Sequence, residues 1–149
     1  MRGLTKAMIG VCAGAVVVGS AIGVRAYEHR MDMPHSSCGS AGTHNLNSRT
    51  QLLSADPGAL ACFHAAAKRC RAASIEVGEG GVDTGNDHVF VIRPGGRPCQ
   101  VTEFSQFSIF TGQIHRNPVT STTCRLIAVT AQGVTMSCSG QRILIPASV

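Results

Sequence analysis

The chain has 149 residues, of which 44% are hydrophobic, 14% charged and 4% aromatic, and its formal net charge is +5. This length suits a single domain, and the hydrophobic content excludes charge-driven disorder of the whole chain. Arg2, Lys6 and Arg25 flank the first apolar run, so the rest of the chain is close to neutral. A nucleic-acid surface needs a basic stripe with stacking aromatic residues, which this sequence lacks, and no nucleic-acid partner is predicted.

The N-terminal segment, residues 1–26, has the layout of an export signal or a single-pass membrane anchor. An uncharged stretch at 7–24 follows the basic residues Arg2 and Lys6. Its length is near the lower limit for crossing a hydrocarbon core of about 30 Å, which favours a retained anchor that contacts the membrane through residues 7–24. Its Gly, Ser and Ala content instead favours cleavage as a secretory signal. Under either alternative the rest of the chain is extracytoplasmic, either held at the cell membrane or secreted.

The cysteines after the apolar run are candidates for disulfide bonds. They are Cys38, Cys62, Cys70, Cys99, Cys124 and Cys138. An even number of cysteines in an oxidising compartment predicts that they pair. The connectivity stays open, except that Cys62 and Cys70 lie too far apart on one predicted helix to be joined. We favour Cys38 with Cys62, Cys70 with Cys99 and Cys124 with Cys138. The lack of any C-x-x-C pair argues against a structural zinc site.

Composition divides the exported part into a stalk and a domain. Residues 27–54 are rich in Ser, Gly, His, Asn and Thr, which predicts a flexible stalk, and residues 55–149 form the domain. The domain opens with a predicted helix at 57–71. Asp56 suits its N-cap and Pro57 its first helical position. Apolar residues then recur at spacings of three and four, as on one face of a helix.

Strand-like segments follow the helix. Alternating or β-branched runs lie at 74–77, 88–93, 99–110, 124–130, 134–139 and 142–145. Residues 82–87 are predicted to form a turn, and Gln132-Gly133 a hairpin connection. The predicted fold class is α+β, with one N-terminal helix packed on an antiparallel sheet of five or six strands, after an N-terminal apolar helix and a flexible stalk.

Several of these features occur together in one recognisable order. Cys62-Phe63, Cys70, the segments 81–85 and 88–92, and the later cysteines resemble an uncharacterised type of small exported bacterial protein. The resemblance covers about residues 56–146. It implies a cysteine-linked α+β domain and brings no activity with it.

The motif Asp83-Thr84-Gly85 is the strongest catalytic candidate. Aspartic proteases of the retroviral type carry D-T-G, in which the aspartate shares a proton with its counterpart and activates water. In this chain Gly80 and Gly81 stand where the proteases have a hydrophobic run, and Asn86 stands where Ala is usual. These residue types favour a turn, so the motif is interpreted as structural.

Histidines, methionines and cysteines offer two further candidates. His29, Met31, Met33 and His35, with Cys38 and His44, carry ligand types that suit copper, although a solvated tether explains them as well. A cysteine could also be activated by His64 or His88, but a paired cysteine is no nucleophile. His64 suits the edge of the helix, and His88 suits the exposed start of a strand. No catalytic residue, cofactor or metal ligand is therefore predicted.

The sequence leaves two functions open. The first is a non-enzymatic binding or structural protein of the cell envelope, acting on an extracytoplasmic ligand or protein. The alternative is a small extracytoplasmic hydrolase or metal-handling protein that uses Asp83, Asp87 and His88, or the His and Met residues of the stalk. The alternative requires those three residues to line one concave pocket together with another polar group, whereas the first expects an open turn.

Overall fold

The computed structural model describes residues 33–44, 51–81, 83–95 and 98–148. The predicted export segment at 1–26, and the parts of the predicted stalk at 27–32 and 45–50, lie outside the described residues. Within the described ranges no helix is long and apolar enough to span a membrane.

The described part of the chain forms one sheet and one helix. In chain order the elements are β1 (Ser40–His44), β2 (Gln51–Ala55), α1 (Ala59–Arg69), β3 (Ala73–Gly80), β4 (Thr84–Arg93), β5 (Gln100–Thr111), β6 (Gln113–Arg116), β7 (Thr120–Thr130), β8 (Gly133–Cys138) and β9 (Gln141–Pro146). The strand order is β2-β1-β3-β4-β5-β7-β8-β9, with β6 paired to β5. Neighbouring strands are antiparallel, except that β1 and β3 run parallel.

The sheet curls into a half-barrel, and the protein is mostly β-sheet with one short helix. The predicted α+β class, with one helix on five or six antiparallel strands, is therefore wrong. Strand β1 and all of β2 except Ala55 lie in residues assigned to the stalk, and β6 was not expected at all. Their sequences, SAGTH, QLLSA and QIHR, hold few β-branched and no aromatic residues. Pairing with neighbouring strands, which a local pattern does not reveal, makes these segments strands.

Helix α1 begins and ends inside the predicted span of 57–71. Its N-cap is Gly58, with a φ of 82°, and not Asp56 as predicted. Asp56 instead accepts hydrogen bonds at its Oδ2 atom from the backbone N of Ser40 at 2.7 Å and from the Ser40 Oγ at 3.0 Å. The carboxylate thus fastens the start of β1 to the chain just before the helix.

The apolar face of α1 packs on one face of the sheet, which we call the inner face. Leu60, Phe63 and Ala67 are buried there, as their helical spacing predicts. The helix contacts mainly β3, and also β1, β7, β8 and β9. The sheet contributes Ile75, Phe90, Ile92, Val101, Val134, Met136, Ile143 and Ile145 to the same buried cluster. The core therefore lies between α1 and the apolar part of the inner face.

Three disulfides reinforce this arrangement. They join Cys38 to Cys62, Cys70 to Cys99 and Cys124 to Cys138, with Cα atoms 5.6, 5.5 and 4.3 Å apart. The prediction of disulfide bonds is confirmed, and these are the three pairs favoured from the sequence. The first two fasten α1, because Cys62 lies within it and Cys70 directly follows it. The third joins the adjacent strands β7 and β8.

Candidate functional site

The inner face continues past the core as a polar pocket of about 430 Å³. Strand β3 contributes Glu79, β4 contributes Asn86 and His88, β5 contributes Glu103 and Ser105, β7 contributes Thr120 and Thr122, and Cys138, Ser139, Gln141 and Ile143 close the opposite wall. Hydroxyl, amide, carboxylate and imidazole groups thus meet in one concavity. Such convergence of polar groups in a cleft is typical of small-molecule sites.

Strand register explains why these side chains share one face. His88 pairs with Ser105, while Glu103 pairs with Phe90 on one side and with Thr122 on the other. Directly opposed residues of neighbouring strands project from the same face of a sheet. Because His88 and Phe90 are two residues apart on β4, His88 and Glu103 are diagonal neighbours on the inner face.

His88 and Glu103 form a close pair inside the pocket. The His88 Nδ1 atom lies 2.7 Å from Glu103 Oε1, and the two side chains are 11% and 13% exposed. The imidazole also stacks on the Phe90 ring, with ring centroids 6.1 Å apart. The expectation that His88 opens a strand and faces solvent is wrong, because β4 begins four residues earlier, at Thr84.

Two polar atoms of this pair have no hydrogen-bond partner in the described part of the protein. The His88 Nε2 atom is buried without a hydrogen-bond partner. The Nε2 atom accepts a hydrogen bond when the ring is neutral with its proton on Nδ1, and it donates one when both ring nitrogens carry a proton. The Glu103 Oε2 atom lies 3.9 Å from Cys124 Sγ, and a disulfide sulfur has no proton to donate. Because Nε2 has almost no accessible surface while the Glu103 side chain is 13% exposed, a ligand in the pocket would contact the carboxylate of this pair.

Asp83 and Asp87 do not belong to the pocket. Asp83 is exposed in a bend before β4. Asp87 lies on β4 next to His88, and adjacent strand residues project to opposite faces, so Asp87 is on the outer face. The structure therefore does not bring together the three residues that the hydrolase alternative requires.

The D-T-G motif marks the beginning of a strand. Residues 82–87 were predicted as a turn, but β4 already includes Thr84 and pairs with β3 through Gly85. The backbone N of Phe110 donates to the Asp83 carbonyl at 2.8 Å. A Cβ atom at Gly85 would lie 3.0 Å from Phe110 Cε2, so the ring of Phe110 packs closely over the glycine. Gly85 is thus explained by this packing rather than by catalysis.

The other candidate groups lie apart from the pocket or lack a free ligand atom. His29 and Met31 are outside the described residues, and His35 is exposed. His64 Nε2 lies 2.7 Å from the Thr130 carbonyl, where α1 meets the end of β7. In the described ranges one trio of ligand-type groups comes within 4.8 Å: Glu103, Cys124 and Cys138. Because metals bind thiolates and these two sulfurs are joined, the trio is not a metal site in this state.

Charge is distributed unequally between the two faces of the sheet. Among the described residues that line the pocket, none is Lys or Arg, and two are glutamates. The arginines of the strands, Arg93, Arg116, Arg125 and Arg142, lie at register positions of the outer face. The inner face at the pocket is therefore lined by carboxylates, although the whole chain is basic.

The chain matches no protein-family model, and it shows no significant similarity to a curated protein or to a solved structure. No similarity to another protein therefore helps to assign a function to this chain. The geometry and chemistry of the pocket have to carry the functional interpretation.

Proposed function

We propose that the chain is an exported, disulfide-stabilised domain of the cell envelope that binds a small polar ligand in the pocket of its half-barrel. The observation that carries this proposal is the nearly buried His88–Glu103 pair, which lines a concavity together with hydroxyl and amide groups of four strands. Proteins commonly bind small molecules in concave sites where a few polar groups converge.

The cavity has a size and lining that suit a small molecule. Ligand pockets commonly enclose a few hundred Å³ and orient their ligands through a few polar groups. Ser105, Thr120 and Thr122 add hydroxyl groups to the histidine–glutamate pair, and Ile143 supplies an apolar patch on the opposite wall. We propose ligand binding for this pocket and assign no reaction to its groups.

The exported location rests on two features of the chain. A basic start followed by an uncharged run at 7–24 is the layout of export segments. Three disulfides in a chain of this size are typical of proteins that fold in oxidising compartments. The domain is either tethered to the membrane through residues 7–24 or released after cleavage.

Ligand binding is tested by thermal-shift and native mass spectrometry with a panel of polar metabolite-sized compounds. Thr122→Val removes a hydroxyl from the pocket and keeps the side-chain shape. Thr123→Val makes the same change on the opposite face of β7. We expect at least one compound to stabilise the native protein, Thr122→Val to weaken that effect at least threefold, and Thr123→Val to leave it unchanged. Equal effects of the two variants, or no stabilising compound, would contradict the proposal.

Export is tested by cell fractionation followed by intact mass measurement. A mature protein outside the cytoplasm, whose mass shows three closed disulfides, is expected. A start at residue 1 in the membrane fraction would identify an anchor, and a later start in the soluble fraction would identify a cleaved signal. Recovery of the full chain in the cytoplasm with reduced cysteines would contradict the proposed location.

A further inference from the structure

The outer face of the sheet carries a row of arginines that crosses five strands. Directly opposed residues of neighbouring strands project from the same face of a sheet. The register places five such residues in one line, in the order Arg93 on β4, Gln100 on β5, Arg125 on β7, Ser137 on β8 and Arg142 on β9. We call this line the arginine row. Successive arginines in it are two strand spacings apart, which is about 10 Å.

The positive charge of the arginine row is not neutralised by the strands around it. All three arginines are exposed, and none of them forms an ion pair with another described residue. Glu103, which lines the pocket, is the last acidic residue of the sequence, so β6 to β9 contain none. The acidic residues on the outer face of β3 and β4, Glu76 and Asp87, lie opposite or beyond Val89, at least about 13 Å along the strands from Arg93.

The residues between the arginines are neutral and form hydrogen bonds. Gln100 stands between Arg93 and Arg125 in the register, and Ser137 stands between Arg125 and Arg142. A guanidinium group binds a carboxylate through two parallel hydrogen bonds, whereas amides and hydroxyls can donate to and accept from other hydroxyls. The row therefore suits a ligand in which carboxylates recur at a regular spacing with hydroxyl groups between them.

We propose that the arginine row binds a linear anionic polysaccharide in which acidic and neutral sugars alternate. The disaccharide repeat of such a polymer is about as long as two strand spacings, so successive carboxylates reach successive arginines. A single exposed ion pair contributes little, but three contacts along one chain raise the affinity through their high effective concentration. The row is on the face opposite to the pocket, and this inference does not depend on the ligand of the pocket.

The shape of the sheet favours a linear polymer over a membrane surface. The row runs across the strands, which is the direction in which the sheet curls, and the outer face of the half-barrel is convex. A flat bilayer would meet only part of such a row, whereas a flexible chain can follow all of it. Single-stranded nucleic acid is bound by aromatic rings that stack on its bases, and the row contains no aromatic residue.

The test uses three oligosaccharide probes: the hexasaccharide and the disaccharide of hyaluronan, in which glucuronic acid alternates with N-acetylglucosamine, and the neutral hexasaccharide of chitin. Each is titrated into the full disulfide-bonded chain, and the dissociation constant is measured by isothermal titration calorimetry. We expect the hyaluronan hexasaccharide, with three carboxylates, to bind at least tenfold more tightly than the disaccharide, and the chitin hexasaccharide not to bind. Raising the ionic strength from about 0.01 M to about 0.5 M should weaken the binding, because salt screens charge.

Two arginine variants supply the matched comparison. Arg125→Gln removes the central charge of the row and should reduce the affinity for the hyaluronan hexasaccharide at least fivefold. Arg116→Gln removes the same charge from the outer face of β6, opposite Ser108 and about 26 Å along β5 from Gln100, and should change that affinity less than twofold. Circular dichroism verifies that both variants are folded, and the ranking of the probes on the native chain does not depend on either variant.

Each other outcome would overturn the inference. If Arg116→Gln weakens binding as much as Arg125→Gln does, the attraction is nonspecific and the arginine row is not the site. If phosphatidylglycerol vesicles or oligothymidylate bind more tightly than the hyaluronan hexasaccharide at equal charge concentration, the ligand class is wrong. If the hyaluronan hexasaccharide does not bind at low salt, or binds no better than the chitin hexasaccharide, the polysaccharide proposal fails.

Discussion

Gly133, in the hairpin between β7 and β8, is a position at which the structure leaves no room for a side chain. It is buried with a φ of 150°, it pairs with Thr130 on β7, and it pairs with Pro146 on β9. A Cβ atom added there would come within 2.8 Å of Pro146 Cα and even closer to the carbonyl oxygen of Ile145. Backbone atoms of a hydrogen-bonded strand cannot move aside as a flexible side chain can, so only glycine fits.

Gly133→Ala should therefore lower the free energy of unfolding by more than about 2 kcal/mol. Gly140→Ala is the matched control, since Gly140 has a φ of 81° but no atom within 4 Å of an added Cβ. That control should cost only the left-handed backbone penalty of about 1 kcal/mol. Urea denaturation of both variants measures the difference. Equal losses would show that backbone conformation, and not the contact with β9, restricts position 133.

Asp56 provides a second test at the scale of one residue. Its carboxylate accepts two hydrogen bonds from Ser40 across 16 positions of sequence. Because the group is exposed, Asp56→Ala should lower the free energy of unfolding by only about 1 kcal/mol. Asp83→Ala, in the exposed bend before β4, should change it by less than about 0.5 kcal/mol. If chemical denaturation gives the same value for both, the Asp56–Ser40 contact contributes no net stability.

At the scale of elements, α1 holds the core closed through a few side chains. Phe63 has no exposed surface and lies among the sheet residues of the buried cluster. Phe63→Ala should lower the free energy of unfolding by about 3–5 kcal/mol, because the loss of the ring leaves a cavity that the sheet fills poorly. Phe107→Ala makes the same change at a side chain that is 39% exposed and should cost about 1 kcal/mol or less. The melting temperatures of both variants are measured by circular dichroism. Equal melting temperatures would contradict this packing role.

The elements also show which signals the sequence carries. The helix was predictable, because Leu60, Phe63 and Ala67 repeat with helical spacing. The apolar half of β4 was predictable from HVFVIR, but its first half, TGND, contains residues that favour turns and becomes strand only by pairing with β3 and β5. Strands β1, β2 and β6 had no local signal at all, and they make the difference between the predicted sheet and a half-barrel.

The pocket was less accessible to sequence reasoning than the fold. His88 was considered as a candidate, but no pattern in the sequence linked it to Glu103. The two are 15 residues apart, and only the register that sets His88 opposite Ser105 makes them neighbours. A sequence reveals which residues alternate along a strand, but it does not reveal which strands pair. A site built across several strands depends on that pairing.

For the whole molecule, the disulfides determine how much stability survives reduction. Loop-closure entropy grows only with the logarithm of loop length, so closing 24 or 29 residues is worth nearly the same, about 3.5 kcal/mol each. Removing Cys70–Cys99 by the double change Cys70→Ala and Cys99→Ala should therefore lower the free energy of unfolding by about 3.5 kcal/mol. The pair Cys38→Ala and Cys62→Ala should give a similar loss by guanidinium denaturation. A loss below about 1 kcal/mol in either case would mean that the sheet alone holds α1 in place.

The parallel pairing of β1 with β3 determines the order in which a growing chain can assemble. Because synthesis proceeds from the N-terminus, β1, β2 and α1 are all made before β3. Strand β1 can pair with β2 at that stage, but it can pair with β3 only after the chain has been made as far as Gly80. Once this part of the chain has reached an oxidising compartment, the bond between Cys38 and Cys62 can close before β3 arrives and join the hairpin to the helix as one covalent unit. Strand β3 would then dock onto a preassembled nucleus rather than onto a free chain, and the later strands would extend the half-barrel in their order of synthesis.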